Sequence, residues 1–168
     1  MLKKIIIALL VALPLSAAAQ KFGTVDVDQV FTAMPEVTEV QNQLTEASKK
    51  YEAEFQKLQE QANKLVAEFQ TIQDDPNTPQ TIKERRMQEI QELGNKIEQF
   101  RNTATQDLQR QQSQLMAPIQ AKLTDAIKAV GQEGGYTFIF PSTPELILYQ
   151  GADVVDVTTL VKDKLGIK

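Results

Sequence analysis

From Val37 onward, apolar residues return every three or four positions: Val37, Val40, Leu44, Ala47, Tyr51, Phe55, Leu58, Ala62, Leu65, Phe69 and Ile72. The steps alternate as in a coiled coil, except for two consecutive fours at Ala47–Tyr51–Phe55, a local slip of register. Most other positions are Gln, Glu, Lys, Asn or Thr. The predicted helix therefore carries one narrow apolar stripe, which needs a partner helix to cover it. A second segment supplies one. Ile82, Ile90, Leu93, Ile97, Phe100, Ala104, Leu108 and Leu115 form a looser stripe, with Gln111 and Gln112 where an apolar residue is due.

The stretch joining them, TIQDDPNTPQTIKERR at 71–86, reads as a helix stop followed by a helix start. Asp75 precedes Pro76, and a residue before proline is pushed out of the helical region, so the first helix should end near Asp74. Thr78 is predicted as N-cap and Pro79 as the first helical residue. A tip of Asp74, Asp75, Pro76, Asn77, Thr78 and Pro79 is short enough to fold the helices back as an antiparallel hairpin. With Asp74 facing Pro79, paired positions sum to about 153. Pro35 then faces Pro118. Each proline lacks an N–H and crowds the preceding turn, so this level is predicted as an arm–body junction. The arm, 36–117, would reach roughly 55–60 Å at 1.5 Å per residue.

The remaining mature residues, 20–35 and 118–168, are predicted to form a discontinuous oligomerisation body. Gly23, Val25 and Val27 alternate with Thr24 and Asp26, as in a strand with one buried face. Ile119, Leu123, Ala126, Ile127 and Val130 continue a helix that Gly131, Gly134 and Gly135 end. YTFIF at 136–140 and LILY at 146–149 read as strands separated by the turn PSTP. Asp156 can cap a last short helix with Val157, Leu160, Val161 and Leu165 on one face and Gly166 closing it. The two strand runs are apolar on both faces, so both need cover. A body of about seventy residues has a marginal core alone. Self-association is the expected remedy, with Val25, Val27, Phe138, Phe140, Leu146 and Leu148 as its core. The fold class is α+β.

The first nineteen residues, MLKKIIIALLVALPLSAAA, change the address of all this. Lys3 and Lys4 precede a short apolar run, and Ala17 and Ala19 form an A-x-A site. This is a signal peptide, with cleavage expected between Ala19 and Gln20. The run is too short to span a bilayer, and no cysteine follows it for lipid attachment. The chain has no cysteine, histidine or tryptophan. Disulfides, thiol chemistry and the commonest general base and metal ligand are thereby removed. Two of the 18 basic residues lie in the leader, so against 22 acidic ones the mature net charge is −6 rather than −4. That balance argues against a nucleic-acid binder.

KFGTVDVDQVF, the long Gln/Glu/Lys-rich hairpin, PIQAKLTDAIKAVGQEGGYTFIF and LILYQGADVVDVTTLVKDKL together resemble the Skp (OmpH) family of periplasmic chaperones. The likeness runs over essentially the whole mature chain, and the C-terminal part is the most specific. It implies a homotrimer whose small sheets assemble into a β-barrel, with three helical hairpins around a cavity. It also implies an ATP-independent holdase for unfolded outer-membrane β-barrel proteins, located in the periplasm. One departure stands out. Well-known members of the family look strongly basic, whereas residues 36–73 here carry four basic and seven acidic side chains, and 80–117 carry six and five. Lys83, Arg85 and Arg86 form one basic cluster beside acidic neighbours and read as a solvated helix face. Contact with a membrane surface should be weak.

A holdase needs apolar contacts rather than catalytic groups. Phe55, Val66, Phe69, Met87 and Met116 are the candidate client contacts, with hairpin core as the plainer role for Phe55 and Phe69. Met87 lies off the stripe and is flexible enough to meet varied partners. A secreted coiled-coil adaptor of the cell envelope is the alternative. The carboxylate pairs Asp26/Asp28 and Asp153/Asp156 lack the surroundings of a catalytic site. No catalytic residue, cofactor, metal site or nucleic-acid partner is expected.

Overall fold

The computed structural model describes residues 20–144 and 146–167. The expected leader, with the Ala19 side of its cleavage site, lies outside the described residues. The chain divides into two compact units, Met34–Lys122 and a second built from residues before Met34 and from Leu123 onward. Among the described residues seven elements follow in order: β1 (Phe22–Val25), α1 (Val27–Ala33), α2 (Pro35–Gln73), α3 (Gln80–Gly134), β2 (Phe138–Pro141), β3 (Val155–Asp156) and α4 (Thr158–Leu165).

The first unit holds α2 and most of α3. Pro35 opens α2, where its missing N–H costs nothing. Every residue of the α2 stripe, from Val37 to Ile72, is buried or half-buried, and Val37, Val40 and Leu58 are fully so. The α3 stripe is covered likewise from Ile90 through Ala104 to Leu115. It too takes two steps of four, at Phe100–Ala104–Leu108, level with the slip in α2, so the two irregularities match. There the Tyr51 hydroxyl donates to Asp107 Oδ2 at 3.0 Å, and its ring meets Phe100 edge-on at 6.0 Å. The hydrogen bond to the Asp107 carboxylate pushes the tyrosine pKa above its usual value. Gln111 is half-buried in the stripe.

Two expectations for this unit need correction. Pro118 does not interrupt the chain; it lies inside α3. Ile119 and Leu123 beyond it are both buried, and that packing tolerates the one backbone hydrogen bond proline removes. Thr78 is not the N-cap. The Pro79 carbonyl accepts from the N–H groups of Ile82 (2.9 Å) and Lys83 (3.3 Å), while the Thr78 hydroxyl donates to Asp75 Oδ2 at 2.8 Å. The Asp75 carboxylate organises the turn instead, because its other oxygen accepts from Asn77 N at 3.0 Å.

In the second unit a parallel sheet of order β2-β1-β3 places β1 in the middle. Val25, Val30 of α1, Val161 of α4 and Val157 at the start of α4 make its core. The strand β1 stops before Val27, which belongs to α1 and is half-buried there. The cause is Asp26, whose Oδ1 accepts from Gln29 N at 2.8 Å and starts the helix. Residues 146–149 are not a strand. The Thr143 carbonyl accepts from both Leu146 N (2.9 Å) and Ile147 N (3.1 Å), which winds the chain instead of extending it. The third strand is the pair Val155–Asp156. Asp156 sits at its end, not at the cap position of α4, which Val157 occupies. It still serves the helix start, since its Oδ1 accepts from Thr158 N at 2.8 Å. Gly166, at φ 72°, closes α4.

Candidate functional site

The parallel register decides what each face of the sheet carries. Phe22 pairs with Phe138 and Thr24 with Phe140, so these four share one face; Gly23, Val25, Ile139 and Pro141 share the other. The second face is covered. Ile139 lies over Gly131, and the Tyr136 ring lies so close to Gly23 and Gly134 that a Cβ on Gly134 would fall 2.3 Å from it. The Lys21 ammonium, 4.1 Å from the centre of that ring, also donates to the Gly134 carbonyl.

The first face is open along β2, whereas on β1 Thr24 is buried and Phe22 half-buried. Phe22 and Phe138 stack at 6.3 Å and Phe138 and Phe140 at 5.8 Å. Yet Phe138 is 57% exposed and Phe140 47%. Beside them the segment 146–150 borders a groove of about 440 Å³ with Phe22, Thr24 and Phe140. Leu146 is exposed, and Leu148 and Tyr149 reach 93% and 87%. Of the six residues expected as oligomer core, Val25 is buried within this chain and Val27 is half-buried in α1. Phe138, Phe140, Leu146 and Leu148 gather on or beside the open face. Phe22 and Tyr149 belong with them. Tyr149 is the last residue of the LILY run; Phe22 was missed because its partner in register lies more than a hundred residues away.

The hairpin is different. Phe55 and Phe69 are half-buried in the seam, and Met116 is half-buried. Val66 and Met87 stand out from the surface. Pro35 and Pro118, expected at the arm–body junction, border a groove of about 670 Å³ with Val40, Leu115 and Ile119, beside an ion pair between Lys122 and Glu36. That pair holds the Glu36 carboxyl below its usual pKa.

The basic cluster near the tip is not a uniformly solvated face. Lys83 Nζ donates to the carbonyls of Gln73 and Asp75, each at 2.9 Å, and so closes the end of α2. Arg86 pairs with Glu89 at 2.7 Å and reaches Glu68 of α2 at 3.8 Å. Arg85 alone of the three is mostly solvated, 3.4 Å from Glu89. Two of the three charges are thus committed to the hairpin's own construction.

Among the described residues no helix is long and apolar enough to cross a membrane, and no cluster of three or more acidic side chains is placed to hold a metal ion. The sequence matches the profile of a family described as outer membrane protein (OmpH-like) over residues 21–165. No curated protein shows significant similarity to it.

Proposed function

Because the chain belongs to the OmpH-like family, whose members in general are chaperones of outer-membrane proteins, we propose that it is a periplasmic holdase acting without ATP. On this reading the leader 1–19 directs export and is removed before Gln20. Three copies associate through the open sheet face, and the hairpins, 36–117, bound a cavity that shelters unfolded β-barrel proteins. Such clients expose alternating apolar residues and unpaired strand edges before insertion, and enclosure prevents their aggregation.

The observation that carries the self-associating body is the exposed pair Phe138 and Phe140, stacked on a half-buried Phe22 and continued by Leu146, Leu148 and Tyr149. An apolar patch of this kind marks an interaction surface. The test is native mass measurement with and without an unfolded outer-membrane protein, together with light scattering of that client. A three-chain mass and suppressed scattering support the reading. A one-chain mass removes the shared body, and unchanged scattering removes the holdase.

The competing reading, an envelope adaptor, draws on the hairpin's polar exterior. Among the described residues of the hairpin, large exposed apolar side chains are limited to Val66, Ile82 and Met87. An adaptor binds one folded partner; a holdase captures many unfolded ones. Proteins recovered with it from periplasm distinguish the two.

A further inference from the structure

Val66 and Met87 belong together. Ser48 and Thr105 line one groove on one flank of the hairpin. Val66 lies eighteen residues beyond Ser48, and Met87 lies eighteen residues before Thr105. Eighteen residues are five turns at about 3.6 residues per turn. Both side chains therefore keep the flank of that groove, and the matched offsets in antiparallel helices keep them level with each other. The ion pair between Glu68 and Arg86 spans the two helices at this height. Val66 is 37% exposed and Met87 49%, whereas Ile82, 38% exposed, lies five residues before Met87, about 140° around the helix at the far edge of the stripe. One heptad from Met87, Gly94 has nothing within 4 Å of where its Cβ would stand. The shelf beside the pair is therefore open.

We propose that Val66 and Met87 form an apolar foothold near the arm tip, which takes single side chains of an unfolded, extended polypeptide. The proposal rests on the holdase reading and names where the arm touches its client. The size of the patch selects the occupant. The two side chains expose on the order of 100–200 Å², far below the roughly 1,200–2,000 Å² buried by a stable interface between folded proteins. A folded partner or a second copy needs more; one aliphatic or aromatic side chain of a mobile chain does not. Some of the residues three and four positions away point the same way. Asn63, Gln70 and Gln91 are exposed amides, which both donate to and accept from the unpaired peptide groups of an extended strand. Methionine suits a site that meets varied side chains.

A photo-crosslinking amino acid placed singly at 66, 87, 82 and 56 tests this, with an unfolded outer-membrane β-barrel protein as client. Position 82 samples the far edge of the stripe, and 56 the exposed outer face. Yields at 66 and 87 severalfold above those at 82 and 56 are expected. The double variant Val66→Gln, Met87→Gln should release client severalfold faster at unchanged native mass. Equal yields at all four positions, or crosslinks from 66 and 87 to another copy of the chain, overturn the foothold. Scattering of the client in the same samples separates the two claims. A client that is held but labelled uniformly defeats the foothold alone; a client that aggregates as if nothing were added defeats the holdase and the foothold with it.

Discussion

The hairpin and the sheet solve opposite problems with similar residues. In the hairpin, the apolar residues of α2 find those of α3, and little but Val66, Ile82 and Met87 is left over. In the sheet, Phe138 and Phe140 stack with each other and with Phe22 and still face outward. The difference lies in topology. A helix stripe is about a hundred degrees wide, and one partner helix closes it. A sheet has two broad faces, and this short chain covers one. The hairpin unit is therefore complete within a single copy, while the sheet calls for another surface.

The largest effect should come from breaking the open face. Phe138→Asp places a charge where an apolar contact between copies is proposed, and burying an unpaired charge is prohibitive. The native mass should fall to that of one chain. The milder Leu148→Gln, at a position 93% exposed, leaves the fold of a single copy intact and should weaken association in proportion. An unchanged mass in both variants would show that the face is not the interface. The mirror experiment is Leu58→Ala in the hairpin seam, where Leu58 is 4% exposed. A cost of about 2–5 kcal/mol is expected, read as a lower melting midpoint at unchanged native mass. A loss of assembly in this variant would mean that the two regions are not separable as argued.

The same contrast governs what could be read from residues alone. Helix stripes and the Pro76/Pro79 punctuation are local signals, so α2, the turn and α3 are legible, including the slip at Tyr51; its match at Ala104 emerges only with the two helices side by side. Pro118 misleads, because local stereochemistry disfavours it in a helix and only packing at Ile119 and Leu123 retains it. The sheet depends on partners far apart in the chain. LILY has strand-forming residues but no neighbour to pair with, and the Thr143 carbonyl draws it into a turn. Val155–Asp156 is too short to signal a strand, yet pairing with Gly23 and Thr24 makes one. The two-sided apolar character of FIF was legible; that Phe22 joins the open face was not, because only the register with β2 places it beside Phe138.

A smaller effect sharpens the account of the tip. If Lys83 closes α2 through the Gln73 and Asp75 carbonyls, Lys83→Met should cost about 1 kcal/mol, while Arg85→Gln, at a solvated site, should cost about 0–0.5 kcal/mol. Hydrogen exchange at residues 70–75 reads this directly, as faster exchange in the first variant and near-native exchange in the second. Equal effects would return Lys83 to the surface charges.

The smallest effect is a dependence on acid. Asp75 is held below the usual aspartate pKa chiefly by the Asn77 backbone N–H, then by the Thr78 hydroxyl. A carboxyl whose folded pKa lies below its unfolded one binds more protons in the unfolded chain. Its stabilisation is therefore complete above the ordinary carboxylate range, near pH 4, and is lost as pH falls through the lower folded value. Glu36 at the other end of the hairpin has the same sign, its hydrogen bond to Lys122 being the main cause. Both groups are solvent-accessible, so the melting midpoint should decline only slightly between pH 4.5 and 2.5. Asp75→Asn keeps an oxygen to accept from Asn77 but carries no titrating charge, so it should flatten the tip's share of that slope. Fraying should then appear at residues 74–79 in the unmodified hairpin at low pH, and less so in the variant. A midpoint that rises on acidification, or a slope that Asp75→Asn leaves untouched, would mean that the Asp75 carboxylate does not hold the turn.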